Sequence, residues 1–205
     1  MPHSQRHSGG RNARGRAGEV RIIGGRWRGR KLRFPALPGL RPTGDRLRET
    51  LFNWLQFEVP GARCLDLFAG SGALGLEAAS REAARVIAVE VDPTAAQALR
   101  ANCALLGAEG VEVIDSDALA WLAQPAPAAE SCAIVFLDPP FAGDLLARAI
   151  PLLEASGRLA ATAWIYLETA RGQILPELPD NWHLHREKCA GEVCCRLFRR
   201  VGGAV

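Results

Sequence analysis

A chain of 205 residues, 48% of them hydrophobic and with a formal net charge of +3, can bury one substantial core and still carry a short appendage. No apolar run approaches the roughly 18 residues of a membrane span. The Arg- and Gly-rich start lacks the apolar stretch of a secretory signal and the apolar face of a transit peptide, so a cytoplasmic protein with no membrane partner is expected.

The charge is lopsided. Residues 1–48 hold 13 Arg and Lys against two acids, Glu19 and Asp45, and the remainder is net acidic. A basic arm on a mildly acidic body points to a polyanion, above all nucleic acid. Residues 1–18 are expected to form a disordered basic tail. The next stretch, "VRIIGGRWRGRKLRFP" at residues 20–35, sets two short apolar-containing runs around a Gly- and Arg-rich turn. It reads as a β-hairpin displaying Arg26, Arg28, Arg30 and Lys31 with Trp27 among them, within an arm spanning residues 19–45. Cations interleaved with an aromatic suit phosphate contact and base stacking; an equally good reading packs Trp27 against the body as an anchor. In "RPTGDRLRETLFNWLQ", Asp45 reads as an N-cap, and Leu47, Leu51, Trp54 and Leu55 recur at helical spacing. Arg46 and Arg48, near the start of that helix, are further candidate RNA contacts.

From residue 62, short apolar strands alternate with helices. Strands are expected near Cys64–Leu67, Val86–Glu90, Val111–Ile114, Ala133–Leu137 and Trp164–Glu168. Helices are expected near Leu74–Ala83, Pro93–Leu106, Ala118–Ala123 and Asp144–Leu153. Nearly all-apolar strands alternating with helices indicate a parallel sheet covered on both faces. Trp182–Arg186 and Val193–Arg199 read as an antiparallel hairpin turning near Ala190 and Gly191. The expected fold is therefore an open α/β sheet, mostly parallel with an antiparallel C-terminal edge, over residues 46–201. Its ligands belong at the carboxyl ends of the strands. The six cysteines, Cys64, Cys103, Cys132, Cys189, Cys194 and Cys195, include no CxxC and read as reduced, mostly buried thiols. Together with His183 and His185 they match no zinc spacing, so no metal is expected.

"LDLFAGSGALG", residues 65–75, follows the first body strand and opens a helix. Gly70, Gly72 and Gly75 give GxGxxG, used where the chain turns tightly and a ligand approaches the backbone; dinucleotide enzymes share it. Asp66 argues for a different ligand. A pyrophosphate needs bare amides, whereas a buried anion suits the ammonium of a zwitterion. Asp66 also falls too early to cap the following helix directly. Glu90 ends the second strand, where an acid commonly holds adenosine ribose hydroxyls. Asp92, with Pro93 after it and Gly107 at the far end, reads as a helix N-cap. Asp117 can accept from an adenine amino group or cap the next helix.

"FLDPPF", residues 136–141, stops the fourth strand at an aspartate and two prolines. This combination resembles the amino-methyltransferases that use S-adenosylmethionine, in which a [DNS]-PP-[YFW] loop after the fourth strand methylates exocyclic base nitrogens. The resemblance implies that the Asp138 carboxylate and the Pro139 carbonyl accept hydrogen bonds from the target amine. Its lone pair is thereby freed from the ring, with Pro139 and Pro140 fixing the carbonyl in advance. Phe141 offers a stacking face for a base turned out of its helix.

The blocks "RIIGGRWRGRKL", "RPTGDRLRETLFNWL", "CLDLFAGSGALGLEA", "FLDPPF" and "HREKCAGEV" together resemble the bacterial 16S ribosomal RNA guanine-N2 methyltransferases of the RsmD type, over nearly the whole chain after about residue 19. The resemblance implies a class I methyltransferase Rossmann-like fold. It implies S-adenosylmethionine as donor, S-adenosylhomocysteine as product, and as acceptor the N2 of a specific guanine in 16S rRNA, within the small ribosomal subunit or its assembly intermediate. Cofactor contacts then fall on Asp66, Phe68, Gly70, Gly72, Glu90, Asp117 and Asp138, and catalysis on Asp138, Pro139, Pro140 and Phe141. A monomer is expected. DNA adenine and protein glutamine are the alternative acceptors for such a loop. The chain departs from the family at Gly44, where Thr is usual, and near Cys195, where an aromatic is common.

Overall fold

The computed structural model describes residues 18–37, 44–126, 131–140 and 143–202. The expected tail, apart from Gly18, lies outside them. The chain begins with β1 (Gly18–Arg21), β2 (Lys31–Phe34) and α1 (Asp45–Trp54). It continues with β3 (Arg63–Asp66), α2 (Ala73–Ser80), β4 (Arg85–Glu90), α3 (Pro93–Leu106), β5 (Val111–Asp115) and α4 (Ala118–Leu122). Next come β6 (Cys132–Leu137), α5 (Leu145–Ala155), β7 (Leu159–Ala170), β8 (Trp182–Ala190) and β9 (Val193–Val201).

The arm is the expected hairpin, β1 pairing antiparallel with β2 from Gly18–Phe34 to Arg21–Lys31. The remaining strands form a seven-stranded sheet in the order β5-β4-β3-β6-β7-β9-β8. The pairs from β5 through β7 are parallel, and β9 runs antiparallel between β7 and β8. β3 has β4 on one side and β6 on the other, so the winding direction reverses there. The carboxyl ends of β3 and β6 consequently frame the crevice where open α/β sheets hold ligands.

Burial on both faces explains the near-continuous apolar strands. One face packs Leu65, Val135 and Ile165 against Leu122 of α4 and Leu146, Ala149 and Ile150 of α5. On the opposite face, Cys64, Ile134, Phe136 and Tyr166 meet Leu51 and Phe52 of α1 and Leu74 and Ala78 of α2. On that same side the hairpin's Val20, Ile22, Trp27 and Leu32 share a cluster with Ala88 of β4 and Leu99 and Cys103 of α3.

Local signals set some boundaries better than others. α3 begins and ends as expected, because Asp92 Oδ1 accepts from the Thr94 and Ala95 amides and Gly107 turns left-handed at φ 64°. At α1 the N-cap is Gly44, without a side-chain cap, and Asp45 is the first helical residue, bonded to Arg48 at 2.7 Å. β7 is longer than its apolar core, because Leu159 pairs with Cys132 of β6 and β9 pairs with it from Thr162 to Ala170. The cysteine expectation needs one correction. The β8–β9 register sets Cys189 opposite Cys194, and the two form a disulfide with a Cα–Cα distance of 4.0 Å. Cys64, Cys103, Cys132 and Cys195 are free and buried. Among the described residues, no helix is long and apolar enough to cross a membrane.

Candidate active site

The glycine loop joins β3 to α2. Gly70 and Gly72 take φ of 52° and 76°, and a Cβ on Gly72 would lie 2.3 Å from Leu99. Only glycine suits that turn. Asp66 is 1% exposed, and its Oδ2 accepts the Gly75 amide at 2.9 Å. The carboxylate thus caps the first turn of α2 from the preceding strand, a reach the sequence spacing argued against. Gly75 allows this contact, because a Cβ there would stand 3.1 Å from the same oxygen. Burial pushes the Asp66 carboxyl up to about 7, the Gly75 bond opposes the rise, and the charge of Glu90 adds to it.

Glu90 ends β4 at 9% exposure. Its Oε2 accepts the Gly70 amide at 2.7 Å and its Oε1 the Asp92 amide at 2.8 Å. One acid therefore shapes both the glycine loop and the turn into α3. Each of the two carboxylates makes the other harder to ionise, and a cation between them would offset that cost. That fits a ligand bearing a positive end and hydroxyls, not a pyrophosphate. Phe68 lies in the same loop and packs against the cluster on the α4–α5 side. Asp117 caps α4, its Oδ1 accepting the Ala120 amide at 2.9 Å, and stays exposed at the carboxyl end of the sheet.

Asp138 follows β6 directly, and Pro139 is buried while Pro140 is exposed. Phe141 lies outside the described residues. The β6–β7 register pairs Phe136 with Tyr166 and Leu137 with Leu167, which brings Asp138 level with Glu168. Sequence reading passed over Tyr166 and Glu168. The Tyr166 hydroxyl donates to Glu168 Oε2 at 2.7 Å, and its ring meets Phe136 edge-on at 6.3 Å. Burial pushes the Tyr166 phenol well above its usual range, with the charges of Glu168, Cys195 and Asp138 adding to the effect. A cavity of about 240 Å³ opens here, lined by Pro139, Pro140, Leu145, Glu168, Gln173 and Ile174 among others. The signal that could have found Glu168 was an acid near the carboxyl end of the apolar strand next to the Asp-Pro-Pro strand.

Of the expected RNA contacts, Arg26, Arg28, Arg30, Lys31 and Arg46 are exposed. Lys31 pairs with Glu19 at 2.7 Å. Trp27 and Arg48 are corrections. Trp27 is 9% exposed, and its backbone amide donates to Ser80 Oγ at 2.9 Å, so it anchors the hairpin and shows no stacking face. Arg48 is fully buried, bonded to Asp45 and to the Arg21 carbonyl at 2.9 Å, with Glu77 at 3.5 Å. Glu77, also fully buried, accepts the Ile23 and Gly24 amides at 2.7 and 2.8 Å and clasps the arm to α2.

Residues 20–199 match the family described as Conserved hypothetical protein 95. An Escherichia coli (strain K12) protein named Ribosomal RNA small subunit methyltransferase D is 53% identical over 184 residues, covering 90% of this chain and 91% of its own. A Haemophilus influenzae protein of the same name is 48% identical, covering 89% and 94%. Among solved structures, Escherichia coli yhhF, provisionally assigned as a methyltransferase, superposes with a TM-score of 0.82 at 50% identity, covering 90% of this chain and 99% of that one. A Salinibacter ruber RNA methyltransferase in complex with S-adenosyl-L-homocysteine shares the fold alone, at TM-score 0.58 and 17% identity, covering 80% and 96%.

Proposed function

The chain belongs to the Conserved hypothetical protein 95 family, and on that footing we propose that it transfers a methyl group from S-adenosylmethionine to the exocyclic N2 of a specific guanine in 16S rRNA. The substrate is the small ribosomal subunit or its assembly intermediate. The reaction takes place in the cytoplasm, and the chain acts as a monomer. Residues 19–45 form the RNA-binding arm and residues 46–201 the catalytic domain.

One observation carries this reading: a carboxylate and a rigid proline carbonyl stand at the carboxyl end of β6, next to the carboxyl ends of β3 and β4 where Asp66 and Glu90 stand. Asp66 holds the ammonium end of the donor and Glu90 its ribose hydroxyls. Gly70 and Gly72 let the ligand lie against the backbone, and Phe68 and Asp117 border the rest of the site. When bound, S-adenosylmethionine supplies an electrophilic methyl on a sulfonium.

The protein's work is on the amine. Guanine N2 is a weak nucleophile because its lone pair is delocalised into the ring. Asp138 and the Pro139 carbonyl accept its two N–H bonds, which favours a pyramidal nitrogen with its lone pair directed at the methyl. Pro139 and Pro140 hold that carbonyl in place before substrate arrives, so little reorganisation is needed. Phe141 stacks on the extruded base. The surplus proton on the methylated nitrogen leaves to solvent.

The test is a radiolabelled methyl-transfer assay on small subunits, naked 16S rRNA, DNA and a glutamine-bearing protein, followed by nucleoside mass mapping. N2-methylguanosine at one position in rRNA is the expected product. Label appearing only in DNA or protein would overturn the proposal.

A further inference from the structure

The β8–β9 hairpin forms the free edge of the sheet, and every residue of β8 from His183 to Cys189 is exposed. The β8–β9 register sorts its side chains by face. His183 stands opposite Arg199, Arg186 opposite Leu197, and Lys188 opposite Cys195. Leu197 and Cys195 belong to the core on the α1 side, so His183, Arg186, Lys188 and Arg199 share that side. Trp182, Leu184, Glu187 and Cys189 fall on the other. The one acid of that strand, Glu187, is there matched by Arg196 at 2.9 Å.

The register slips between Leu184 and Arg186, leaving His185 as the extra residue. A bulge of this kind re-aims a side chain. His185 turns onto the cationic face, where its ring meets Trp164 at 4.9 Å and Arg199 lies over the same indole at 5.6 Å. The strand thus gathers its basic and imidazole side chains on a single face.

That face is continuous with the RNA-facing side of the protein. Lys188 Nζ donates to Thr50 Oγ1 of α1 at 3.0 Å, and the Thr50 hydroxyl donates in turn to the carbonyl of Arg46, whose own side chain is exposed. Arg48 then ties α1 to β1 through the Arg21 carbonyl. Glu49, exposed on α1, offsets part of the charge. The stripe also begins at the catalytic end of the sheet. Lys188 pairs with Cys195, Cys195 with Glu168, and Glu168 is level with Asp138. Three strand spacings separate Asp138 from Lys188, about 15 Å, which is a span of two or three nucleotides of backbone.

We propose that the cationic face of the β8–β9 edge is a second RNA-binding surface, gripping phosphates that flank the methylated nucleotide on the opposite side of α1 from the basic arm. The inference rests on the RNA methyltransferase reading above. RNA backbone suits the face because its groups are cations flanking an aromatic ring.

The experiment compares the parent protein with a triple variant, Arg186→Gln, Lys188→Gln and Arg199→Gln, and with Arg148→Gln, which removes an exposed charge from α5. Binding to a 16S rRNA fragment is measured across salt concentrations, alongside S-adenosylmethionine affinity and thermal midpoint. The triple variant should lose about two to three units of log–log salt slope and bind at least tenfold more weakly at physiological salt. Cofactor affinity should stay within twofold, and the matching Lys-for-Arg variant (Arg186→Lys, Arg199→Lys) should keep the parent slope. A triple variant with the parent slope and affinity would overturn the second surface while leaving the methyltransferase reading intact. A parent protein that methylates no RNA would overturn both.

Discussion

Asp138, just past the end of β6, stands level with Glu168 of the neighbouring parallel strand β7, one residue beyond the Leu137–Leu167 pair. One lies in the proline-locked loop, and the other is held by the Tyr166 hydroxyl at 2.7 Å. Replacing Asp138 with Ala should remove an acceptor from the amine while leaving Asp66 and Glu90 untouched. The expected result is a fall in kcat of about 10²–10³-fold or more, with cofactor affinity changed by no more than a few fold. Single-turnover transfer and calorimetric titration separate the two quantities, and equal loss of both would remove Asp138 from the chemistry.

The buried Asp66 carboxyl should make stability, and binding of a donor with a cationic end, pH-dependent. Its proton is held up to about pH 7 in the folded chain but only to about 4 when unfolded. Because the folded pKa is the higher, the stabilising proton is fully bound below about pH 4. Its contribution is lost as pH rises through about 7, at no more than about 1.4 kcal/mol per pH unit. Asp66→Asn should therefore gain stability relative to the parent as pH rises from 5 to 8. A cationic ligand end pulls the carboxyl toward its ionised form, so binding near pH 6 should release a proton. Titrations in buffers of different ionisation enthalpy would detect it, and Asp66→Asn should abolish it.

Arg28 and Arg30 are exposed, whereas Lys31 is engaged with Glu19. Neutralising Arg28 or Arg30 should each remove up to about one unit from the log–log salt slope of RNA binding. Lys31→Gln should remove less, since part of its charge is already balanced. A larger effect from Lys31 than from either arginine would contradict the arm's geometry.

Glu77 joins arm and body through two backbone amides and Arg81, with Arg48 buried beside it. Glu77→Ala removes the acceptor of two backbone amides and the buried carboxylate beside Arg48, and should destabilise the protein by about 3–5 kcal/mol. Chemical denaturation measures the loss. Amide exchange at Ile23 and Gly24 should accelerate more than at the central strands.

Gly44 caps α1 with φ −57° and ψ 144° and makes no side-chain bond. A Cβ there would meet nothing within 4 Å. Gly44→Thr should supply the missing acceptor and stiffen the unfolded chain, adding about 0.5–1 kcal/mol. A rise of about 2 °C in thermal midpoint would register it.

The reach of the sequence tracks the range of the forces. α3 was legible at both ends because its caps, Asp92 and Gly107, are local. The tight glycine turn after β3 and the end of β6 before Asp138 were legible because glycines and prolines so spaced allow few other backbones. β7 was read short because its outer residues are strand by pairing, Leu159 with Cys132 of β6 and Thr162, Thr169 and Ala170 with β9. Trp27 and Arg48 looked available because each is buried by a partner distant in sequence, Ser80 and Glu77. Glu168 was missed because its importance lies in a register, Leu137 beside Leu167, that no single stretch of sequence displays.

The bulge at His185 and the like charges of Arg186 and Lys188 have another effect on β8, an edge strand of the sheet. An open edge offers unpaired amides and carbonyls to any passing strand. A second copy docking there antiparallel would bring cations against cations and would have to accommodate a kinked backbone. The features that would draw RNA to this rim also discourage the protein from stacking into fibres with itself.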